Sequence, residues 1–224
     1  MNSCKFSLMI GRTVEDRLRE QHFELLPEAR RVLEHLEAEI RYRLLPISRT
    51  LRRFERVIVE SRVKACESAI ESLRNRQNFS TFNPENAETY RLADLKDLAG
   101  VRVLAFPRSR VREIDALLRD VEVFRGWNSD PVVGADDKTV AFKYSGYYSA
   151  ASSQLSGEYQ VVSLLTGRFW DVEHSAMYKP APTLKDAVAA PRMREQYQNV
   201  LRELAAFEDE FERLLRIDPR PEDW

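Results

Sequence analysis

Cysteine, histidine and long apolar runs are all scarce in this sequence. Its 224 residues include only two cysteines, too few for a disulfide framework, and no CxxC pair suggests a metal site. The three histidines lie far apart and show no metal-ligand spacing. No apolar run reaches the ~20 residues of a membrane-spanning helix, and the N-terminal MNSCKFSLMIGR has too short an apolar run for a signal peptide. We therefore expect a protein of the reducing cytoplasm that has no membrane partner.

The chain is instead rich in apolar residues and in charges of both signs. Hydrophobic residues make up 43% of it and charged residues 32%, which is typical of a soluble globular protein. The formal net charge is −1, but residues 201–224 carry eight acids against four arginines. A basic stretch at 41–64 could attract phosphates or could form a solvated helix face, which we favour for most of its arginines. That stretch contains Arg41, Arg43, Arg49, Arg52, Arg53, Arg56, Arg62 and Lys64 against Glu55 and Glu60.

Helical signals dominate both ends of the chain. A capping box from Thr13 to Asp16 predicts a first helix that ends near Phe23, and Pro27 suits the first turn of a second helix that Pro46 interrupts. Segment 164–178 is also predicted to be helical. After Pro191, apolar residues recur at helical spacing and form one stripe, which could pack on the domain or on a second subunit. The stripe comprises Tyr197, Val200, Leu201, Leu204, Phe207, Phe211, Leu214 and Leu215.

Strand patterns occupy the middle of the chain. We predict strands at 54–64 and 100–106, the start of another at 121–124, and amphipathic helices at 65–76 and 111–121. Two short strands follow a polar loop at 128–139 and are predicted to meet in a hairpin at Ser156-Gly157. The pattern predicts an α/β (α+β) fold with a mixed sheet of about five strands and long terminal helices. We divide the chain into an N-terminal helical extension (1–50), a central domain (51–180) and a C-terminal helical extension (181–224).

Two carboxylates stand at the ends of predicted strands. Asp97 lies directly before the buried strand at 100–106, and Glu158 lies at the start of a later, otherwise apolar strand. Gly100 and Arg102 share one face of the strand after Asp97, because side chains alternate along a strand. Such carboxylates suit a metal–triphosphate site, since Mg²⁺ takes one or two of them together with phosphate oxygens. The alternative for Asp97 is that it only caps a loop.

Basic residues near the end of the first predicted strand could supply the remaining positive charge. Arg62 and Lys64 end that strand, and Ser68 follows in the next helix. Arginine and lysine form charge-assisted hydrogen bonds with phosphate oxygens. Arg62 could equally be a surface residue, so only the whole constellation indicates a site.

Five short motifs follow one another between residues 50 and 180. They are SRVKACESAIES (Arg62, Lys64, Ser68), DLAGVR (Asp97, Gly100, Arg102), KYSGYYSAA (Lys143, Gly146, Tyr147, Ser149), EYQVVS (Glu158, Gln160) and FWDVEHSAMYK (Phe169, Trp170, Glu173, His174, Tyr178, Lys179). In this order they resemble the synthetase domain of the RelA/SpoT homologues, and specifically the stand-alone small alarmone synthetases. The resemblance implies a nucleotidyltransferase-like fold.

The resemblance also implies an ATP-dependent pyrophosphokinase, which transfers the β,γ-diphosphate of ATP to the 3′-hydroxyl of a nucleotide. Mg²⁺ is the implied cofactor, held by the catalytic carboxylates Asp97 and Glu158, and Glu158 would also activate the attacking hydroxyl. Tyr147 would stack on the acceptor base. The other implied nucleotide-binding residues are Arg62 and Arg102 on adenine, Lys64 and Ser68 on phosphates, and Lys143 and Gln160.

The usual acceptor in the family is GDP or GTP, which gives (p)ppGpp in the stringent response. Some toxic members modify adenine nucleotides or the tRNA 3′ end instead, and the basic stretch at 41–64 would suit tRNA because phosphate contacts dominate such binding. An antitoxin or another protein partner is therefore a further expectation. Because small members of the family often form tetramers, we also expect a homo-oligomer.

This sequence departs from the family pattern mainly on the acceptor side. Tyr148 stands in place of an arginine, Ala151 in place of a histidine and Val162 in place of an arginine. Ser72 replaces a lysine in the helix predicted at 65–76, and Met177 replaces an asparagine. These losses leave a second hypothesis open: a catalytically inactive relative that binds a nucleotide or a protein.

Overall fold

The structure is a computed structural model that describes residues 13–76, 81–134, 139–148, 151–152, 154–178 and 191–217. Within these ranges, none of the helices combines the length and the hydrophobicity that crossing a bilayer requires. A π-helical turn, His174–Tyr178, extends the fourth helix. The helices are α1 (Val14–Arg49), α2 (Cys66–Arg76), α3 (Arg108–Arg119), α4 (Leu164–Glu173) and α5 (Pro191–Ile217), and the strands are β1 (Arg56–Val63), β2 (Ala99–Phe106), β3 (Asn128–Ser129), β4 (Val132–Val133), β5 (Thr139–Tyr147) and β6 (Ser156–Ser163).

The strands form one mixed sheet in the order β1-β2-β6-β5-β3, and β4 also pairs with β5. The pair β2 and β6 is parallel, whereas the other pairs are antiparallel. The predicted α/β fold with a mixed sheet is therefore confirmed. The described residues contain six strands rather than about five, because the predicted loop at 128–139 includes the two-residue strands β3 and β4.

Helix α1 is a single helix, so the prediction of two helices separated before Pro27 was wrong. The capping box at Thr13 and Asp16 is present and starts the helix as predicted. Both Pro27 and Pro46 lie inside the helix, although an interior proline costs about 3 kcal/mol. A buried stripe that runs the length of α1 and packs on β1 and β2 outweighs this cost. It comprises Val14, Leu18, His22, Ala29, Val32, Leu36, Ile40, Leu44 and Ile47.

Two local predictions in the middle of the chain were also wrong. The expected strand at 121–124 is a short 3₁₀ turn, Glu122–Phe124, because the buried residues Val121 and Phe124 are three apart, which is one 3₁₀ turn. Ser156-Gly157 is not a hairpin turn but the first two residues of β6. Strands β5 and β6 do pair antiparallel, with Tyr147 opposite Ser156.

The two faces of the sheet are covered differently. One face carries α1 and α3 over the main hydrophobic core, which includes Val103, Ile114 and Tyr159. The other face carries α4, which covers a small apolar cluster of Leu104, Ala141 and Val162. Because α4 is short, the remainder of that face stays open.

The apolar stripe of α5 divides into two lines. One line packs on the protein's own domain: the Phe211 ring lies 5.5 Å from that of Phe54 and 5.0 Å from that of Phe106. Tyr197 stacks on Phe169 at 5.1 Å. The other line is exposed and repeats every seven residues, which is the spacing of a helix–helix seam. It comprises Met193, Val200, Phe207 and Leu214, which are 44%, 39%, 55% and 51% exposed.

Replacing Phe211 by alanine should lower the free energy of unfolding by about 2 kcal/mol, roughly half the cost for a fully buried phenylalanine, because the ring is only partly buried. Leu214→Ala, on the exposed line of the same helix, is the matched control and should change stability by less than about 0.5 kcal/mol. Urea unfolding of dilute protein measures both. Equal losses for the two variants would mean that both lines of α5 pack on the domain.

Candidate active site

The face of the sheet that carries α4, here called the outer face, is open beyond that helix. The residues of its open part are mostly polar and lie in two rows. Cross-strand pairing aligns Arg62, Gly100, Glu158 and Ser145 in the first row and Glu60, Arg102, Gln160 and Lys143 in the second. A third row, Ile58, Leu104, Val162 and Ala141, lies in the apolar cluster under α4. A cleft of about 370 Å³ opens over the two polar rows, a size within the range of ligand pockets. It is lined by Glu60, Ser61, Arg62, Asp97, Gly100, Val101, Arg102, Lys143, Glu158, Gln160 and Asp171.

Asp97 lies just before β2, surrounded by three cations. Lys64 Nζ donates to Asp97 Oδ2, and Arg76 Nη2 lies 3.6 Å from Asp97 Oδ1. Burial on its own would raise the pKa of Asp97, but the Lys64 hydrogen bond and the charges of Lys64, Arg76 and Lys143 leave that pKa below its ordinary value of 3.8. Asp97 is therefore ionised at neutral pH.

Lys64 is held in place through its backbone. Its N–H donates to the carbonyl of Leu98 at 2.8 Å, which ties the end of β1 to the loop that carries Asp97. Its own carbonyl lies 2.9 Å from His22 Nε2, on the buried face of α1. The lysine thus reaches the carboxylate from a fixed backbone position.

Glu158 is the second carboxylate of the cleft and is only 6% exposed. Lys143 Nζ lies 3.0 Å from Glu158 Oε2, and Gln160 Nε2 donates to Glu158 Oε1 at 2.8 Å. The pairing of Lys143 with Gln160 across β5 and β6 places both groups one row away from the carboxylate. Both oxygens of Glu158 therefore have a donor within 3.0 Å.

The arginine end of the cleft contains two predicted arginines and an acid that the sequence did not reveal. Arg62 is exposed on the edge strand β1, opposite Gly100. Arg102 Nη1 lies 2.6 Å from Asp171 Oδ1, on α4. Asp171 was missed as a site residue, although it lies within the quoted motif FWDVEHSAMYK, because only folding brings α4 over β2.

The cleft thus brings together Asp97, Glu158, Arg62 and Arg102, as the sequence predicted. Lys143 and Gln160 also line it, and Lys64 joins it through the ion pair with Asp97. Ser68 lies on α2 and is not among the lining residues.

Tyr147 is 60% exposed and faces a different cleft of about 760 Å³ at the end of the sheet. The second cleft is also lined by Lys96, Arg125, Trp127 and Gly146. Glycine is required at 146, since a Cβ there would lie 2.6 Å from the Trp127 ring. Ser149 and Lys179, which belong to the matched motifs, lie outside the described residues.

Three of the positions that depart from the family pattern are buried. Tyr148 is 7% exposed, and its ring lies 6.1 Å from that of His35 on α1. Val162 is fully buried in the apolar cluster under α4, and Ala151 is 7% exposed. Because side chains alternate along the chain at this point, Tyr147 and Tyr148 face different surroundings.

Asp97 offers an oxygen that could bind a magnesium ion, whereas both oxygens of Glu158 already have donors. Asp97 Oδ1 is buried and accepts no hydrogen bond from a described residue, so it keeps a lone pair for a cation. Among the parts of the chain that the structure describes, no group of three or more His, Cys, Asp or Glu could hold a metal alone. Asp97 and Glu158 would therefore need phosphate oxygens to complete the coordination, as is usual for Mg²⁺.

Asp97→Asn should lower the free energy of unfolding by about 1–3 kcal/mol at pH 7, because Lys64 loses a charged hydrogen-bond partner. A carboxyl group whose pKa is lowered by folding contributes stability above its unfolded pKa, and that stability is lost as the pH falls through the folded value. The difference between wild type and variant should therefore shrink as the pH falls below 3.8. Urea unfolding across this range measures it, and a difference independent of pH would contradict the ion pair.

No family model and no curated protein sequence matches this chain. Solved structures do match it. A GTP pyrophosphokinase family protein from Streptococcus pneumoniae is similar with a TM-score of 0.62 and 18% identity, over 88% of this chain and 93% of that chain.

Two small alarmone synthetases from Bacillus subtilis are also similar. Synthetase 1 bound to its product pppGpp gives a TM-score of 0.62 at 17% identity, over 87% of this chain and 96% of that one, and it has also been solved with AMPCPP. Synthetase 2 gives a TM-score of 0.60 at 14% identity, over 86% of this chain and 98% of that one. At these identities the likeness concerns architecture, and the chain has the RelA/SpoT-like fold of the small alarmone synthetases.

Proposed function

We propose that this protein is a nucleotide 3′-pyrophosphokinase that transfers the β,γ-diphosphate of ATP to the 3′-hydroxyl of an acceptor nucleotide. The observation that carries the proposal is the pair of lysine-bound carboxylates, Asp97 and Glu158, on one sheet face in one cleft with two arginines. The structural neighbours support the same reaction class, since they include GTP pyrophosphokinase and small alarmone synthetase structures.

The roles of the residues follow from their positions. Glu158 accepts the proton of the 3′-hydroxyl, whose oxygen then forms a bond to the β-phosphorus. The bond between the β-phosphorus and the oxygen that bridges to the α-phosphate breaks, and AMP leaves with that electron pair. Lys64 and Lys143 neutralise phosphate oxygens, and Arg62 and Arg102 take the base of the donor. Asp97 and Glu158 would hold Mg²⁺, which would neutralise further phosphate charge.

For the acceptor we propose GDP or GTP, which would give (p)ppGpp as in the stringent response, with another nucleotide or a tRNA 3′ end as the competing acceptors. Tyr147 offers an exposed aromatic face to an unpaired base at the end of the sheet. Exposed arginines of the basic stretch, among them Arg49, Arg52 and Arg53, could contact a tRNA backbone.

We further propose that the exposed line of α5 pairs with a second copy of the chain, so that the protein is a homo-oligomer. Phe207 and Leu214 lie at the seven-residue spacing of such a seam and leave a large apolar area in water. A toxic role with an antitoxin as partner would belong to the tRNA acceptor, because blocking the tRNA end would stop translation.

Nucleotide binding without transfer is the second candidate function, and the buried departures favour it. Tyr148 contacts α1 and Val162 lies under α4, so neither position presents a charge to an acceptor phosphate. Labelled ATP with Mg²⁺ and a panel of acceptors (GDP, GTP, ADP and deacylated tRNA) distinguishes the two candidates. Release of AMP with a diphosphorylated product supports the enzyme, whereas bound ATP with no AMP supports the binding module.

Asp97→Asn should abolish AMP release while the protein stays folded, because a neutral amide is a poor ligand for Mg²⁺. Asp120→Asn, at the exposed end of α3, is the matched control and should keep wild-type activity. Circular dichroism checks the fold of both variants. Unchanged AMP release by Asp97→Asn would remove Asp97 from the site.

Tyr147→Ala should raise the KM for the acceptor about ten- to a hundredfold without affecting ATP binding, since a stacked base is worth about 1–3 kcal/mol. Tyr148→Phe is the control, because its ring stays buried against His35 and only the hydroxyl is lost. Initial-rate kinetics with the acceptor that gives AMP release measure both variants. Equal, small effects would exclude Tyr147 as a stacking platform.

A further inference from the structure

A chain of four ion-paired side chains crosses the arginine end of the cleft. Arg102 Nη1 lies 2.6 Å from Asp171 Oδ1, and Arg168 Nη1 lies 3.4 Å from Asp171 Oδ2. Arg168 Nη2 in turn lies 2.6 Å from Glu60 Oε1 on the edge strand. Glu60 and Arg102 are cross-strand partners, so α4 supplies both remaining members of the chain. The network therefore forms a fixed polar wall where α4 meets the cleft.

This end of the cleft has the shape and chemistry for a planar ring. Arg62 and Arg102 lie on neighbouring strands, and Gly100, opposite Arg62, leaves the floor beside Arg102 without a side chain. A Cβ at Gly100 would have no atom nearer than 3.9 Å, so the space above the floor is open. Guanidinium planes stack on bases, whereas the lysine-bound carboxylates at the other end suit phosphates and their cation.

The wall at this end presents carboxylate oxygens. Ionised Asp171 and Glu60 can only accept hydrogen bonds, and their side chains are 45% and 39% exposed. The guanidinium groups of Arg102 and Arg168 are already engaged with these carboxylates. A base with an exocyclic amino group can donate to the remaining lone pairs, whereas a keto oxygen at the same edge would meet another acceptor.

We propose that Asp171 is a specificity-determining residue that selects a donor nucleotide whose base carries an exocyclic amino group. The proposal deepens the proposed function and rests on it, because it assigns the arginine end of the cleft to the base of the triphosphate. Arg168 is a positioning residue in this arrangement, since it contacts both Asp171 and Glu60 and holds them at the cleft edge.

Calorimetric titration of the full chain with ATP and with ITP, in the presence of Mg²⁺ and without acceptor, tests the proposal. ITP has the same sugar and triphosphate, but its base carries a keto oxygen in place of the amino group and a proton on N1. Wild type should bind ATP about ten- to a hundredfold more tightly than ITP, the range for one hydrogen bond to a charged group. Asp171→Ala should reduce that ratio of affinities to about one, mainly by weakening the binding of ATP.

Two further variants sharpen the test. Asp171→Asn keeps the size of the side chain and adds an amide N–H₂ that can donate to the keto oxygen of ITP. It should therefore lower the ratio of ATP affinity to ITP affinity by strengthening the binding of ITP. Asp120→Ala removes an exposed aspartate at the end of α3 and should keep the wild-type ratio. The asparagine variant also keeps the proposal testable if Asp171→Ala does not fold.

The outcomes separate this proposal from the proposed function. The proposal that Asp171 selects the amino group would be overturned by either of two results. One is equal affinity of wild type for ATP and ITP, and the other is an equal loss of affinity for both triphosphates in the Asp171 variants. AMP release by wild type in the same preparation would then leave the pyrophosphokinase proposal standing. If neither triphosphate binds to wild type, both proposals fail.

Discussion

The cleft depends on how far α4 extends over the outer face of the sheet. Gly167 brings α4 so close to the sheet that a Cβ there would collide with Leu104. This close packing buries the apolar row of Leu104, Val162 and Ala141, whereas the two rows beyond α4 carry mostly polar side chains. Charged side chains that are partly buried on this open half of the face would cost free energy if they were unpaired. The ion pairs of the cleft follow from this division of the face.

The charges in the cleft nearly cancel, which constrains what can bind there. The acids Glu60, Asp97, Glu158 and Asp171 are matched in number by Arg62, Lys64, Arg102 and Lys143, and two further cations, Arg76 and Arg168, lie beside these acids. Part-buried ion pairs add little stability by themselves, because desolvation offsets most of their attraction. A triphosphate would bring a large negative charge into a cleft with little net charge to receive it. Under the proposed function, a divalent cation on Asp97 and Glu158 would compensate the remaining phosphate charge.

Part of the cleft could be predicted from the sequence, some residues by strand alternation and the others by the motif resemblance. Once Asp97 is placed before a strand, Gly100 and Arg102 must share a face. Glu158 and Gln160 were matched by the motif resemblance, and only the structure shows that the register of β6 places them beside Gly100 and Arg102. Asp171 could not be predicted in this way, since its place depends on how α4 packs across β2. The single helix α1 was missed for a related reason: proline signals are local, whereas the buried stripe from Val14 to Ile47 is satisfied only by the folded sheet.

The rows of the sheet also explain why the departures from the family pattern are not simple losses of charge. Val162 lies in the apolar row, where an arginine would have to be buried against Leu104 beneath α4. Tyr148 is packed on α1 with His35, whereas its neighbour Tyr147 remains exposed. Positions 148 and 162 are thus part of the core, and an arginine at either would have to be buried at large cost. An acceptor phosphate would have to find its cations elsewhere, and the second cleft offers Lys96 and Arg125 beside Tyr147. Under the proposed function, the acceptor would therefore approach from the end of the sheet, over Tyr147, toward Glu158.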